Sequence, residues 1–338
     1  MDSAKFYEKF KDHSNLILRR DEPMKRHTSF RVGGLADLYA VPESLEKLKT
    51  LLLSVCKAKL PLTITGSGTN LLVKDGGISG IVVSLCGIKD KIRIRKVDNE
   101  LSLVTASTGT VLAGVAKFAM DHGLEGLGFA AGIPGTVGGA VMMNAGTGMN
   151  SMSSIIESVE IVGPDGKVQK IERNDITFSH RTTCFNTLNF KSENHGREEI
   201  VPGNRDISLK NLNSKSCFKP VIVKASFLLK KGDKERIKKD WQELLKKRKN
   251  TQPVLIPSAG CFFKNPGSGR TAGELIDRAG LKGTRVGDAM VSEKHANFIL
   301  NMGNARAEDI LKLKKNVEEK VFKLFSVKLD TEVKIEGR

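Results

Sequence analysis

Two glycine-rich passages, Gly66-Ser67-Gly68-Thr69-Asn70 and Gly132-Ile133-Pro134-Gly135-Thr136-Val137-Gly138-Gly139-Ala140, constrain this 338-residue chain more than any other feature. Without a Cβ, glycine permits backbone conformations and close approaches that other residues forbid. The first passage follows the strand-like Leu62-Thr63-Ile64-Thr65 and offers successive N–H groups beside Ser and Thr hydroxyls, a composition that can cradle a pyrophosphate. It lacks the third glycine of the dinucleotide-binding fingerprint and the Lys-Ser/Thr of a P-loop, so neither fold is supported. A single such loop is more simply a glycine turn. Two of them favour a large phosphate-bearing cofactor held by main chain, with close packing of two backbones as the competing account.

A third segment, Pro257-Ser258-Ala259-Gly260-Cys261-Phe262-Phe263-Lys264-Asn265-Pro266, holds a thiol and an ammonium close together between aromatic rings. Its prolines and glycine fix or free backbone angles at set positions, so a plain strand is not expected, and the pattern reads as a site that aims Cys261 and Lys264. The alternative is a kinked edge strand with a buried cysteine. Three more stretches carry polar chemistry. Arg181, in Ser179-His180-Arg181-Thr182, offers a planar fork for a carboxylate or enolate oxygen, or a surface charge. Ser292-Glu293-Lys294-His295-Ala296-Asn297 suits a sugar or nucleotide, or a solvated turn. Leu329-Asp330-Thr331-Glu332-Val333-Lys334-Ile335 alternates like a strand, with Glu332 sharing a face with Asp330 or Lys334, and an exposed edge strand is its default reading.

The length calls for two or three domains, and 39% apolar with 28% charged residues is ordinary for a globular protein. No apolar run reaches bilayer length, and the start of the chain has no apolar signal core. Five scattered cysteines, never in a CxxC pair, argue against a disulfide framework or a zinc site and for a reducing compartment; no metal is expected. The net charge of +17 is the compositional outlier. Much of it falls in Lys231 to Asn250, an amphipathic helical pattern with a solvated basic face. Few aromatics interleave with it, which argues against nucleic-acid binding. Helical spacing marks Glu46 to Leu60 (Leu48, Leu51, Leu52, Val55), Thr110 to His122 and Ala305 to Phe325. Strands with a Pro164-Asp165-Gly166 hairpin turn mark Val159 to Ile171. Residues 186–219 turn polar and irregular, the composition of a surface insertion. Strands cluster instead of alternating strictly with helices, which gives an α+β class.

Taken in order and spacing, His27-Thr28-Ser29-Phe30-Arg31-Val32-Gly33-Gly34, both glycine passages, Arg181, Pro257 to Pro266, Ala272-Gly273-Glu274-Leu275-Ile276, Val291 to Phe298 and Glu332-Val333 resemble the UDP-N-acetylenolpyruvoylglucosamine reductase family across nearly the whole chain. The resemblance implies an FAD-binding two-subdomain fold of the vanillyl-alcohol-oxidase/PCMH type plus a C-terminal α+β substrate domain. The expected division is 1–84 (joined by 326–338), 85–229 with the insertion at 186–219, and 230–325. It implies noncovalent FAD, reduced by NADPH, which passes hydride to UDP-N-acetylglucosamine enolpyruvate to give UDP-N-acetylmuramate for peptidoglycan synthesis.

In that scheme Arg181 and Glu332 polarise the substrate carboxyl, a role for which Glu332 needs a raised pKa, and Cys261 stands where the family usually has serine as proton donor. Gly66, Ser67, Gly68, Thr69 and Asn70 face the FAD pyrophosphate, Gly132, Ile133, Pro134, Gly135 and Thr136 the flavin and ribityl chain, and Arg31 joins the cofactor set. Lys264, Asn265, Ser292, Glu293, His295 and Asn297 line the substrate. Residues 186–219 contain no tyrosine, which places the chain in the class without a tyrosine-bearing loop. A cytoplasmic monomer without nucleic-acid or membrane partners is expected. Two rival readings stand beside it. An FAD-linked oxidase of the same superfamily often attaches flavin through histidine, which neither glycine passage contains. A binding module without turnover is opposed by the joint presence of Arg181, Cys261 and Glu332.

Overall fold

The computed structural model describes residues 3–148, 150–186, 219–267 and 269–338. The chain divides into two compact units, one of Met1–Leu18, Ala40–Gly66 and Val83–Trp241, the other of Arg19–Tyr39, Ser67–Val82 and Gln242–Arg338. Three strands, Leu16–Pro23, Leu35–Pro42 and Ile78–Ser84, carry the chain from one unit to the other. Each unit has its own apolar core.

In the first unit a six-stranded sheet runs in the order Val168–Glu172, Ile156–Val162, Val221–Lys231, Leu101–Ser107, Arg93–Lys96, with Leu124–Glu125 also paired to Val221–Lys231. All of its pairings are antiparallel. Along Val221–Lys231, inward residues such as Ala225, Phe227 and Leu229 alternate with less buried ones, the period-2 signature of a strand covered on one face. The cover comes from helices Leu112–Asp121 and Val137–Met142, whose Leu112, Val115, Ala119, Val137 and Val141 are buried against the sheet core. The turn at Gly163–Lys167 closes as the sequence implies. Gly166 adopts φ +72° and donates to the Gly163 carbonyl at 3.0 Å. Helix Leu45–Ala58 starts where the Ser44 hydroxyl accepts from Lys47 N and buries the Leu48, Leu51, Leu52, Val55 stripe.

The second unit packs helix Ala272–Arg278, a three-stranded meander (Arg285–Val286, Ala289–Val291, Ile299–Asn301) and helix Ala307–Phe325 around Phe30, Phe262, Phe263 and Leu275. A Thr271/Glu274 capping box begins the first helix. The Asp75 carboxylate accepts from Ala307 N and Glu308 N, both at 3.0 Å, and so begins the second. Helix Lys234–Thr251 has no fully buried residue, in keeping with its basic, solvated composition.

Two expectations are corrected. Leu329 to Ile335 is not one strand: only Lys334–Glu336 is, pairing in parallel with Leu71–Val73, while Thr331 bridges Phe263. Glu332 therefore takes its position from a neighbouring segment and not from alternation along a strand. Cys56 is disulfide-bonded, whereas Cys86, Cys184 and Cys261 are thiols. Scatter along a sequence does not forbid pairing in space. The polar segment expected at 186–219 lies, beyond its two ends, outside the described residues.

Asn301 ties the second unit together. Its Nδ2 donates to the Phe30 carbonyl at 2.9 Å, and its Oδ1 accepts from Gly303 N and Ala305 N at 2.9 and 3.0 Å. At 3% exposure these groups have no water to fall back on. Asn301→Leu keeps the branched outline but strands three backbone groups, and urea unfolding is expected to show a loss of about 3 kcal/mol.

Candidate active site

Cys261 sits on an arch whose backbone is fixed on both sides. Before it, Asn301 N donates to the Pro257 carbonyl at 2.9 Å, and Gly260 takes φ +78° with open space where a Cβ would stand. That glycine is needed for its dihedral and not for room. After it, Phe262 N donates to the Asn297 carbonyl at 2.7 Å, while the Asn297 side chain accepts from Phe263 N at 2.9 Å and donates to Phe263 O at 2.8 Å. Cys261 itself bridges Phe298. Glu332 is brought to the same arch because its N–H donates to the Phe262 carbonyl at 2.8 Å, and its own carbonyl accepts from Asn70 Nδ2 at 3.2 Å. Lys264 N is held by the Asp330 carbonyl at 2.8 Å. The thiol, Glu332, Lys264 and the end of the first glycine passage thus belong to one hydrogen-bonded neighbourhood of the second unit.

Several residues expected at the substrate also hold loops. Asn297 is buried with its amide engaged on Phe263, Asn265 Oδ1 accepts from Ala272 N at 3.0 Å, and the buried Ser292 Oγ accepts from Lys294 N and His295 N. Glu293 is exposed and His295 half-buried. Burial pushes the His295 ring below its ordinary pKa, helped by Lys282, and Nδ1 accepts from Asn297 N at 3.3 Å. Arg31 is exposed in the left-handed region (φ +56°) at the turn where its N–H donates to the Thr28 carbonyl.

The sequence gives no signal for Arg248, which reads as one more cation on a polar helix. It is half-buried, and burial pushes its guanidinium down while the Cys261 group, within electrostatic range, opposes that shift.

In the first unit Arg181 occupies the two-residue turn between paired strands Ile176–Ser179 and Thr182–Phe185. Its φ of +59° is strained for a non-glycine residue, and its guanidinium contacts the Gly146 carbonyl at 3.5 Å. The second glycine passage packs on Ser107 to Val111: Gly138 N donates to Thr108 O and Val137 N to Thr110 O, both at 2.9 Å. A Cβ on Gly138 would lie 2.0 Å from Thr108 Oγ1, and one on Gly66 would lie 2.5 Å from Thr136 Oγ1. Thr108 and Thr110 each bury an Oγ1 that has no hydrogen-bond partner among the described residues. Buried hydroxyls left open beside backbone that tolerates no Cβ suit a polar ligand seated there. Thr108 and Thr110 escape sequence reading because threonines entering a helix look like ordinary capping residues.

Residues 36–172 match the FAD binding domain family, and residues 252–336 match the C-terminal domain of UDP-N-acetylenolpyruvoylglucosamine reductase. The UDP-N-acetylenolpyruvoylglucosamine reductase of Clostridium novyi is 42% identical over 93% of this chain and 90% of its own, and that of Desulfosudis oleivorans 40% identical over 94% of each. This chain belongs to the UDP-N-acetylenolpyruvoylglucosamine reductase family. The crystal structure of the Thermus caldophilus member superimposes with a TM-score of 0.72 at 31% identity, covering 95% of this chain and all of that one. The α+β, FAD-binding architecture implied by the sequence is therefore the one found. FAD is the cofactor of this family, and the open hydroxyls of Thr108 and Thr110 with the Cβ-free backbone at Gly66 and Gly138 fit it.

Two outcomes follow. Gly66→Ala drives a methyl into Thr136 and is expected to weaken FAD binding by about tenfold or more, read by quenching of flavin fluorescence. His295 titrates lower in the folded chain than unfolded, so the unfolded state binds more protons as pH falls below 6.5. Stability from this ring is fully present above that value and is lost as pH falls through the folded pKa. His295→Gln should flatten that limb of the urea midpoint against pH.

Proposed function

We propose that this protein catalyses the NADPH-dependent, FAD-mediated reduction of UDP-N-acetylglucosamine enolpyruvate to UDP-N-acetylmuramate, a cytoplasmic step of peptidoglycan precursor synthesis that serves wall growth, cell shape and division. The observation that carries the mechanism is the hydrogen bond from Glu332 N to the Phe262 carbonyl, which joins an acid and a thiol on one frame. FAD, when bound noncovalently, would supply the hydride, and NADPH would replenish it. The remaining work falls to side chains.

Arg181 presents a fixed fork to the enolpyruvyl carboxylate, and Glu332, protonated, donates to the same group, so negative charge that builds on the carboxylate as hydride arrives is met by two donors. Cys261 gives its proton to the carbon beside that carboxylate. Thiols as a class titrate at about 8.5, so a thiol can serve as an acid at neutral pH. Arg248, within electrostatic range of Cys261, offers positive charge to the thiolate left behind. Lys264 provides a point charge for a substrate phosphate or carboxylate, and Asn265, Ser292, Glu293, His295 and Asn297 line the substrate. Gly66 to Asn70 and Gly132 to Thr136 present backbone to FAD, with Thr108 and Thr110 contributing hydroxyls and Arg31 charge. The basic surplus draws in three polyanions, FAD, NADPH and the UDP-sugar. The functional unit is a monomer acting on small molecules.

The test is anaerobic absorption spectroscopy. The flavin band should bleach with NADPH and return with the enolpyruvyl substrate. Cys261→Ala should leave bleaching intact and slow the return by about a hundredfold or more, with Cys261→Ser restoring most of it. A protein that takes up no FAD, or a return unaffected by Cys261→Ala, overturns the assignment.

A further inference from the structure

Ser29 occupies a junction that the mechanism above does not use. Its N–H donates to the Gly68 carbonyl at 3.2 Å, fixing it against the first glycine passage. Its hydroxyl donates to the carbonyl of Ser258 at 2.6 Å, across 229 residues of sequence, and lies 3.4 Å from the Thr69 carbonyl. A hydroxyl has one proton, and the distances assign it to Ser258. Gly68 has no freedom to retreat: a Cβ there would stand 2.0 Å from the His27 carbonyl. Ser258 is three residues before Cys261, on the entering side of the arch. On the leaving side, Phe262 O accepts from Glu332 N, Glu332 O accepts from Asn70 Nδ2, and Lys334 N donates to Asn70 O at 3.0 Å. The bonds close a circuit: Gly68 to Asn70, Glu332, the Cys261 arch, Ser258, Ser29 and back to Gly68.

We infer that Ser29 is a positioning residue that ties the Cys261 arch to the cofactor loop and so sets where the proton donor stands relative to that loop. The inference rests on the proposed roles of Cys261 and of Gly66 to Asn70. Without the hydroxyl, the Gly68 bond survives, since it uses backbone, but the entering side of the arch keeps only the Asn301 N to Pro257 O bond, one residue further from the thiol. The thiol then shifts while the cofactor loop does not. Displacements of this kind act on the chemical step much more than on binding.

The experiment compares Ser29→Ala with Ser29→Thr, which keeps the hydroxyl, in the FAD-loaded protein. Ser29→Ala is expected to leave FAD affinity and the rate of bleaching by NADPH within about threefold of the parent, while return of the flavin band with the enolpyruvyl substrate slows by about tenfold or more. Ser29→Thr is expected to recover the return rate. A second readout needs no turnover: peptide-resolved alkylation of Cys261 by iodoacetamide over about pH 6 to 9, bracketing the thiol range. Ser29→Ala should change that rate profile by about threefold or more, leave Cys86 unchanged, and be reversed by threonine.

Bleaching and return slowed in equal proportion, threonine failing to rescue, or a Cys261 alkylation profile identical to the parent would each overturn the inference. Should the alanine variant not fold, Ser29→Cys, which keeps the volume with a weaker donor, carries the same comparison. A parent protein whose flavin band does not return with the enolpyruvyl substrate refutes the proposed function itself, and the alkylation arm then still decides whether Ser29 holds the arch.

Discussion

The double hydrogen bond between the Asn297 side chain and the backbone of Phe263 is the constraint on which the second unit's chemistry depends. An amide presents a donor and an acceptor in one plane, so it satisfies both polar groups of a buried residue as a neighbouring strand would, without the length of a strand. This lets a segment broken by Pro257, Gly260 and Pro266 stay ordered where no regular ladder can form. Phe262 and Phe263 then point into the core beside Phe30, with rings 6.2 and 5.2 Å apart along the chain of contacts, and the apolar burial of three rings anchors the arch. Cys261, next to two buried aromatics, remains half-exposed.

How far the sequence foretold this depends on the range of the interaction. Helix Leu45–Ala58 was legible because Leu48, Leu51, Leu52 and Val55 repeat at helical spacing behind a capping Ser44, all within a few turns. The glycine passages were legible because a missing Cβ is written in the residue itself. The arch was legible as an interrupted segment carrying a thiol, but not the partners that hold it, since Asn297 is 34 residues away and looks like any polar residue of a turn. Glu332 was misjudged as a strand residue because alternation along Leu329 to Ile335 is a local signal, and the bond to Phe262 that decides its place is not.

Arg248 and the Thr108/Thr110 pair were missed for a related reason. Their chemistry lies in burial, and burial depends on what packs over a residue. A guanidinium on a helix crowded with lysines carries no mark that it is half-buried within electrostatic range of a thiol, and a threonine before a helix carries none that its hydroxyl is sealed from water. The disulfide at Cys56 belongs to the same class of fact.

The link between Asn70 and Glu332 spans 262 residues, and the parallel pairing of Leu71–Val73 with Lys334–Glu336 spans a similar length. A ribosome adding about 5 to 20 residues per second exposes the first partner roughly tens of seconds before the second. Through that interval the edge beside the first glycine passage lacks its closing strand, and Asn70 lacks the carbonyl it will hold. The nascent first unit can collapse on its own core meanwhile, because its sheet is complete once Val221–Lys231 has emerged. Vectorial synthesis therefore orders the molecule: a sheet with its own core comes early, and the arch that carries Cys261 is joined to Glu332 only when nearly all of the chain is present.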